Sequence, residues 1–156
     1  MAARIIKYSG ILAAIALLGA CNVVERKPEA APDFRPALDN HLAMVTSRDL
    51  EGFKATLTKG DDLNVIFPGG TIIPTTKEVV EFHTDWFKDK DWIMEPEVVK
   101  VIEGKDMATA LTKYQFRDNK DGKPRSAWLV LVFALEDGEW RLVHDQNTRI
   151  DEKPAG

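Results

Sequence analysis

The C-terminal part of the chain most constrains the fold, because it reads as four long β-strands joined by three short turns. The strand segments are Trp92 to Glu103, Ala108 to Arg117, Arg125 to Leu135 and Glu139 to Ile150. Turn sequences rich in Gly, Asp and Asn separate them at positions 104–106, 119–122 and 137–138. Strands joined by turns this short pair antiparallel, so the sequence predicts a four-stranded meander.

The preceding segment has the periodicity of helices. Apolar residues recur at helical spacing from Phe34 to Val45, and a second helix is expected after an N-cap at Thr46-Ser47, ending near Lys59-Gly60. A short strand, Leu63 to Phe67, separates it from a third helix that opens at the capping box Thr75 to Glu78. Helices followed by a meander predict the α+β class, with the N-terminal helices packed on one face of a strongly curved antiparallel sheet.

This order of elements resembles the SnoaL-like family of the nuclear-transport-factor-2-like (NTF2-like) superfamily. The resemblance covers about Phe34 to Ile150. It rests on three short sequences in a fixed order: Arg48-Asp49-Leu50-Glu51, Asp61-Asp62, and Gly138-Glu139-Trp140-Arg141-Leu142-Val143-His144. The resemblance implies a cone-shaped sheet bent around a pocket, with helices fencing its mouth.

The superfamily contains ketosteroid isomerases, polyketide cyclases, dehydratases and proteins without catalytic activity, so the fold alone does not define a reaction. The isomerases carry a carboxylate base on the first short strand, just before a proline. Phe67 occupies that position here, before Pro68. Their hydroxyl donor falls on His41 or on Ala43, depending on which motif anchors the comparison. Because proton abstraction needs a positioned base, the isomerase mechanism is not expected, and no catalytic residue is assigned.

Seven residues are candidates for lining the pocket: His41, Phe67, Trp86, Tyr114, Trp128, His144 and Gln146. Strict alternation along the last strand puts His144 and Gln146 on one face and Asp145 on the other. His144 and Gln146 either face the cavity or are satisfied by neighbouring strands. Tyr114 and Trp128 are either core aromatics or walls against which a ligand stacks.

The third helix also leaves two alternatives open. In the first, Phe82, Trp86 and Phe87 belong to the core and His83 is a partly exposed neighbour. In the second, His83 or Trp86 lies at the mouth of the pocket. The apolar stripe on this helix is compatible with both arrangements.

Three functional hypotheses follow. The first is non-catalytic binding of a small apolar or amphipathic ligand. The second is an enzyme of the dehydratase, cyclase or isomerase type, with His41 or His144 as base and Tyr114 as acid. The third is a homodimerising interaction module. No cofactor is expected, and no metal either, because the three histidines form neither a His-x-His nor a His-x-x-x-His pair.

The N-terminus predicts export. Residues 1–20 combine a basic start with the apolar run 11–18 and small residues at the exit, which is typical of a signal peptide. The run is shorter than the roughly 20 residues that span a bilayer. Leu18-Gly19-Ala20-Cys21 resembles the bacterial lipobox, so Cys21 is expected to carry the lipid, palmitate included. An ordinary secretory signal with a coincidental cysteine is the alternative.

These boundaries divide the chain into four parts: a signal peptide at 1–20, the lipidated cysteine and flexible tether at 21–33, the domain at 34–150 and a tail at 151–156. Cys21 is the only cysteine, so no thiol remains for a disulfide. Asn22, rather than an aspartate, follows it. The prediction is therefore a lipid-anchored protein of the bacterial cell envelope, attached to the outer membrane and facing the periplasm.

The charge of the chain argues against nucleic acid as a partner. Its formal net charge is −4, and loss of residues 1–20 would remove Arg4 and Lys7 and leave −6. Binding to a phosphate backbone relies on basic side chains, which an acidic chain supplies poorly. The expected partners are the membrane, through Cys21, a small apolar ligand and a second copy of the chain.

Overall fold

The computed structural model describes residues 31–151. Its elements in chain order are α1 (Phe34–Ser47), α2 (Leu50–Ala55), β1 (Asn64–Ile66), β2 (Ile72–Ile73), α3 (Thr76–Trp86), β3 (Ile93–Glu103), β4 (Met107–Arg117), β5 (Arg125–Glu136) and β6 (Glu139–Arg149). The signal peptide, Cys21 and most of the tether and tail lie outside the described residues. Within residues 31–151, every helix falls short of the length and apolar character that crossing a membrane requires.

All six strands form one sheet in the order β2-β1-β6-β5-β4-β3. Strands β3 to β6 pair antiparallel in sequence order, as the turn spacing predicts, while β1 pairs parallel to β6. The buried side chains of the three helices join those of the sheet in one hydrophobic core. The predicted α+β class is confirmed. The two-residue strand β2 was not predicted from the sequence.

The junction between α1 and α2 differs from the prediction. Arg48 adopts a left-handed backbone conformation (φ 59°) that ends α1, and Asp49 caps α2 by accepting a hydrogen bond from the Gly52 amide. Thr46 is not the cap, because its hydroxyl donates back to the Leu42 carbonyl within α1.

Helix α2 is also shorter than predicted, ending at Ala55. The chain beyond it joins the sheet: Leu57 forms a parallel bridge with Leu142, and the Thr58 amide donates to the Leu142 carbonyl. The expected capping box of α3 is confirmed, since the Thr75 hydroxyl accepts a hydrogen bond from the Glu78 amide.

The narrow end of the cone is filled by aromatic rings. Phe34 at the start of α1 packs edge-on against Phe133 and Trp140, with ring centroids 5.1 and 5.5 Å apart. The Trp140 indole donates a hydrogen bond to the Pro32 carbonyl at 2.7 Å. These contacts fix the start of α1 against β5 and β6, and the three rings are at most 5 % exposed.

A β-bulge in β6 decides which residues face the inside of the cone. Phe133 pairs with Leu142 and Val132 pairs with His144, so Val143 has no counterpart on β5. The alternation therefore shifts by one residue after Leu142. Asp145, rather than His144, lies opposite the buried Leu131 and shares its face.

Candidate functional site

The wide end of the cone holds an open cavity of about 950 Å³. Helices α1, α2 and α3 form one wall and strands β1 and β3 to β6 form the other. Large apolar side chains form much of the lining: Leu42, Val45, Phe53, Val65, Phe67, Phe82, Trp86, Met94, Phe116 and Leu129. A cavity of this size and character suits a small organic molecule.

Four of the seven candidates line this cavity, namely His41, Phe67, Trp86 and Tyr114. The other three lie on the opposite face of the sheet. Trp128 alternates with Ala127 and Leu129, both of which point inward and are buried. The placement of His144 and Gln146 on the cavity face was wrong, because the bulge at Val143 turns them outward.

His144 instead follows the alternative of being satisfied by a neighbouring strand. Its Nδ1 lies 2.6 Å from the Asn64 Oδ1 atom on β1. An amide oxygen only accepts, so Nδ1 carries the proton and donates it. The enzyme hypothesis that pairs His144 with Tyr114 therefore loses its base, since the two side chains occupy opposite faces of the sheet.

Helix α3 corrects the first of the two alternatives at His83 and Phe82, whereas Phe87 lies in the core and Trp86 packs against it as that alternative expected. His83 is 7 % exposed, whereas Phe82 is 36 % exposed. The His83 ring stacks on Phe53 with centroids 4.1 Å apart, and its Nδ1 donates to the Val79 carbonyl at 2.7 Å. His83 is thus a core residue that also reaches the cavity wall, while Phe82 packs against Phe67 beside the opening.

Asp145 is the functional residue that sequence reasoning missed. It lies on β6 opposite Val65 of β1 and Leu131 of β5, and its side chain lines the cavity. Asp145 is half-buried, and the cavity is where its side chain reaches open space. Burial raises the pKa of the Asp145 carboxyl to about 7.

A hydrogen-bond network orients this carboxyl. Asn147 Nδ2 donates to Asp145 Oδ1 at 2.7 Å and to the Ile66 carbonyl at 3.1 Å. Asn147 Oδ1 accepts the Tyr114 hydroxyl proton at 2.9 Å. All the polar atoms of the amide are used, so Asn147 is locked in place. Burial, with the nearby Asp145 charge, raises the Tyr114 pKa to about 12, and the phenol remains a donor.

The two cavity histidines are held neutral. Thr56 donates its hydroxyl proton to the Phe53 carbonyl, so the 2.7 Å contact between His41 Nδ1 and the Thr56 hydroxyl is a donation from the ring. Burial lowers the pKa of His41 to about 3, with a contribution from His83, and lowers that of His83 to about 4. Neither ring supplies positive charge near neutral pH.

Charged side chains gather at the mouth of the cavity. Arg125 binds Asp118 through two hydrogen bonds, of 2.6 and 2.8 Å, and this contact lowers the pKa of the Asp118 carboxyl. Lys123 and Arg149 lie at the same rim and are exposed. The mouth is therefore polar and the wall beneath it is apolar.

Asp145 can be compared with the carboxylate base of the ketosteroid isomerases, whose position Phe67 occupies in this chain. Strand β1 runs parallel to β6, with Val65 opposite Asp145 and Ile66 opposite Gln146. The chain thus lacks a carboxylate at the end of β1 but presents one on the adjacent strand, facing the same cavity.

Within residues 31–151, no three His, Cys, Asp or Glu side chains are grouped so as to hold a metal ion.

A family model described as a SnoaL-like domain matches residues 35–147, which span both walls of the cavity. The chain belongs to the SnoaL-like domain family. Curated proteins give no sequence match. The fold and the family resemblance expected from the sequence are therefore both confirmed.

Solved structures place this SnoaL-like domain among NTF2-like folds. A ketosteroid isomerase-like protein from Erwinia carotovora atroseptica is 19% identical, with a TM-score of 0.64 over 81% of this chain and 100% of its own. An NTF2-like protein from Cytophaga hutchinsonii is 17% identical, with a TM-score of 0.60 over 74% and 93%. An LEH-like epoxide hydrolase from M. tuberculosis is 16% identical, with a TM-score of 0.57 over 74% and 76%. At these identities the likeness concerns the fold.

Proposed function

We propose that this SnoaL-like protein binds a small, mainly apolar molecule that carries one polar group. The observation that supports this most strongly is the open cavity of about 950 Å³, whose largely apolar lining includes a hydrogen-bonded polar cluster, Asp145, Asn147 and Tyr114, on the sheet wall. Apolar walls would supply the affinity through burial of ligand surface, and the cluster would fix the ligand's orientation.

The contrast between the cavity and the packed end of the cone supports binding over a purely structural role. Three aromatic rings fill the narrow end, whereas the wide end keeps a cavity with an oriented carboxyl inside it. A half-buried carboxyl without a compensating charge destabilises a fold, so its presence is easier to explain by a ligand than by folding.

Native mass spectrometry of the full-length protein, purified in mild detergent from its producing host, tests this function. We expect a bound small molecule that is lost on denaturation, and its mass would identify the ligand class. The variant Ala127→Phe, which fills the cavity from β5, should lose this mass. Ala134→Phe, the same substitution on the outer face of β5, should keep it. Retention of the molecule by both variants would contradict the proposed site.

A second candidate is an enzyme in which Asp145 is the general acid or base. A carboxyl with a pKa of about 7 in an apolar cavity has the properties of such a group. The names of two structural relatives suggest the assays: isomerisation of a ketosteroid and hydrolysis of an epoxide. Turnover abolished in Asp145→Asn would establish catalysis. Equal turnover in the wild type and the variant would exclude this role for Asp145.

We also propose that the protein is lipid-anchored in the bacterial cell envelope through Cys21. The lipobox-like sequence before Cys21 supports this. Metabolic labelling with palmitate should mark the wild type and not Cys21→Ser, and fractionation would separate inner from outer membrane. The mass of the intact protein in the native mass spectrometry experiment above would also show whether two copies of the chain associate.

A further inference from the structure

We propose that the ligand of this cavity carries a protonated amine, which the Asp145 carboxylate binds as an ion pair inside the apolar cone. This inference rests on the proposed binding function and names the chemical class of the ligand. Among residues 31–151, Asp145 forms no ion pair, and its side chain accepts one hydrogen bond, from Asn147 Nδ2 to Oδ1. The carboxylate therefore lacks the opposite charge that normally accompanies a buried acid.

Within the part of the chain that the structure describes, the titratable groups around the cavity do not supply that charge from inside. They are His41 on α1, His83 on α3, Tyr114 on β4, Lys123 and Arg125 at the start of β5, and Arg149 and Asp151 at the end of β6. His41 and His83 donate their Nδ1 protons to Thr56 and Val79 and stay neutral. Tyr114 donates to Asn147. The positive charges are those at the mouth.

The cations at the mouth do not prevent a cationic ligand from entering. Arg125 is bound to Asp118, and Lys123, Arg125 and Arg149 are exposed to water, which screens their charges. The attraction between the Asp145 carboxylate and a cation inside the cavity is screened less, because the cavity walls around them are mostly apolar. An ammonium group that reaches Asp145 would replace the missing counter-ion.

The shape of the cavity matches an amine with an apolar body. A protonated primary amine offers three donors, and Asp145 Oδ2 is available to accept one. Rings of Phe67, Phe82, Trp86 and Phe116 form a continuous wall, with neighbouring centroids 5.0, 5.8 and 6.4 Å apart. These rings would bury the apolar body of such an amine, and the Asp145 carboxylate would distinguish its ammonium group from the hydroxyl of an alcohol of equal shape.

A neutral ligand would use the same residue in the opposite protonation state. A ketone or aldehyde needs Asp145 protonated so that the carboxyl can donate, whereas an ammonium needs it ionised. Because the pKa of Asp145 is about 7, the two ligand classes respond to pH with opposite sign. Amine affinity should rise with pH through this value, and carbonyl affinity should fall.

Isothermal titration of the full chain with 2-naphthylmethylamine and 2-naphthalenemethanol compares two probes that share one apolar body. We expect the amine to bind about tenfold more tightly than the alcohol at pH 8. Its affinity should fall about tenfold at pH 6, where roughly a tenth of a carboxyl with a pKa of 7 is ionised. Asp145→Asn should abolish both the preference and the pH dependence while retaining alcohol binding. Asp121→Asn, which removes an exposed surface carboxylate, should behave as the wild type.

The outcomes separate the two proposals. Equal affinity for amine and alcohol at pH 8, or a preference that survives in Asp145→Asn, would overturn the amine inference and leave the binding function standing. Failure of both probes and of a neutral hydrophobic dye to bind would contradict the binding function, and the inference with it. A circular dichroism spectrum of Asp145→Asn matching that of the wild type would show that the variant folds.

Discussion

The two ends of the cone are built from the same strands, yet one is packed and the other is open. At the narrow end, β5 and β6 present Phe133, Trp140 and Leu142, and Phe34 of α1 fills the space between them. At the wide end, the same strands present Ala127 and Leu129 from β5 and Asp145 from β6. The aromatic rings of Phe133 and Trp140 fill the packed end, whereas the small Ala127 and the polar Asp145 on the same face leave room for a cavity.

The change from one end to the other occurs at the bulge in β6. Before Val143 the inward residues are apolar, and after it they are Asp145, Asn147 and Arg149. A bulge increases local twist and bends a strand, which lets one strand serve both halves of a curved sheet. Stability and ligand recognition are thus expected to separate along the strand.

The largest expected effect comes from truncating an aromatic ring at the packed end. Phe133→Ala should lower the free energy of unfolding by about 3–5 kcal/mol, because the rigid surroundings cannot close the space left behind. Phe67→Ala, on the open cavity, should lower it by less than about 1.5 kcal/mol, since that ring is half-exposed. Urea unfolding measures both. Equal losses would contradict the division into a packed and an open end.

The next effect is the pH dependence that Asp145 gives to stability. Its folded-state pKa of about 7 exceeds the ordinary value of 3.8, so the folded state binds the extra proton between these values. Stability from this group is therefore lost as pH rises from about 4 to 7. Asp145→Asn removes this loss, and its stability relative to the wild type should improve by about 2 kcal/mol between pH 5 and pH 8. A constant difference would show that the carboxyl is not buried as described.

The histidines of the helical wall should act in the opposite direction. His83 has a folded-state pKa of about 4, below its ordinary 6.5, so the unfolded state binds more protons between these values. Stability is lost as pH falls from about 6.5 to 4. Between pH 7 and 5.5 the wild type should lose about 1 kcal/mol more than His83→Gln in urea unfolding. The same loss in both proteins would mean that His83 is accessible to water.

The smallest effect concerns the polar cluster itself. Tyr114→Phe removes the donor to Asn147 Oδ1 and should lower the free energy of unfolding by about 1 kcal/mol, since one hydrogen bond is lost and the ring remains. It should also weaken ligand binding modestly by loosening Asn147, as calorimetry can measure. A loss of several kcal/mol would indicate that the cluster stabilises the fold rather than the ligand.

The sequence predicted the architecture well because its signals are local. Turns at 104–106, 119–122 and 137–138 fixed the four long strands, and the Thr75 capping box fixed the start of α3. The end of α2 was misjudged because Leu57 pairs with Leu142, a contact 85 residues away that no local pattern encodes.

The site was predicted only in part, for the same reason. Helix periodicity and strand patterning pointed to Trp86 and Tyr114, and the family resemblance pointed to His41 and Phe67; all four line the cavity. Asp145 could not be placed in this way, because its inward orientation depends on a bulge, and a bulge is set by pairing with β5 rather than by the residues of β6 alone. One sequence signal could have indicated it: Asp145, Asn147 and Arg149 alternate as a polar series opposite the apolar residues of β5.

Calorimetric titration with 2-naphthalenemethanol, a neutral apolar probe, would show whether the wide end of the cone is an open binding cavity. We expect binding to the wild type and to Ala134→Phe, and no binding to Ala127→Phe, whose added ring would occupy the cavity. The substitutions are identical and lie on opposite faces of β5. Binding that is unaffected by Ala127→Phe, or absent from the wild type, would contradict the account of the wide end as an open binding cavity.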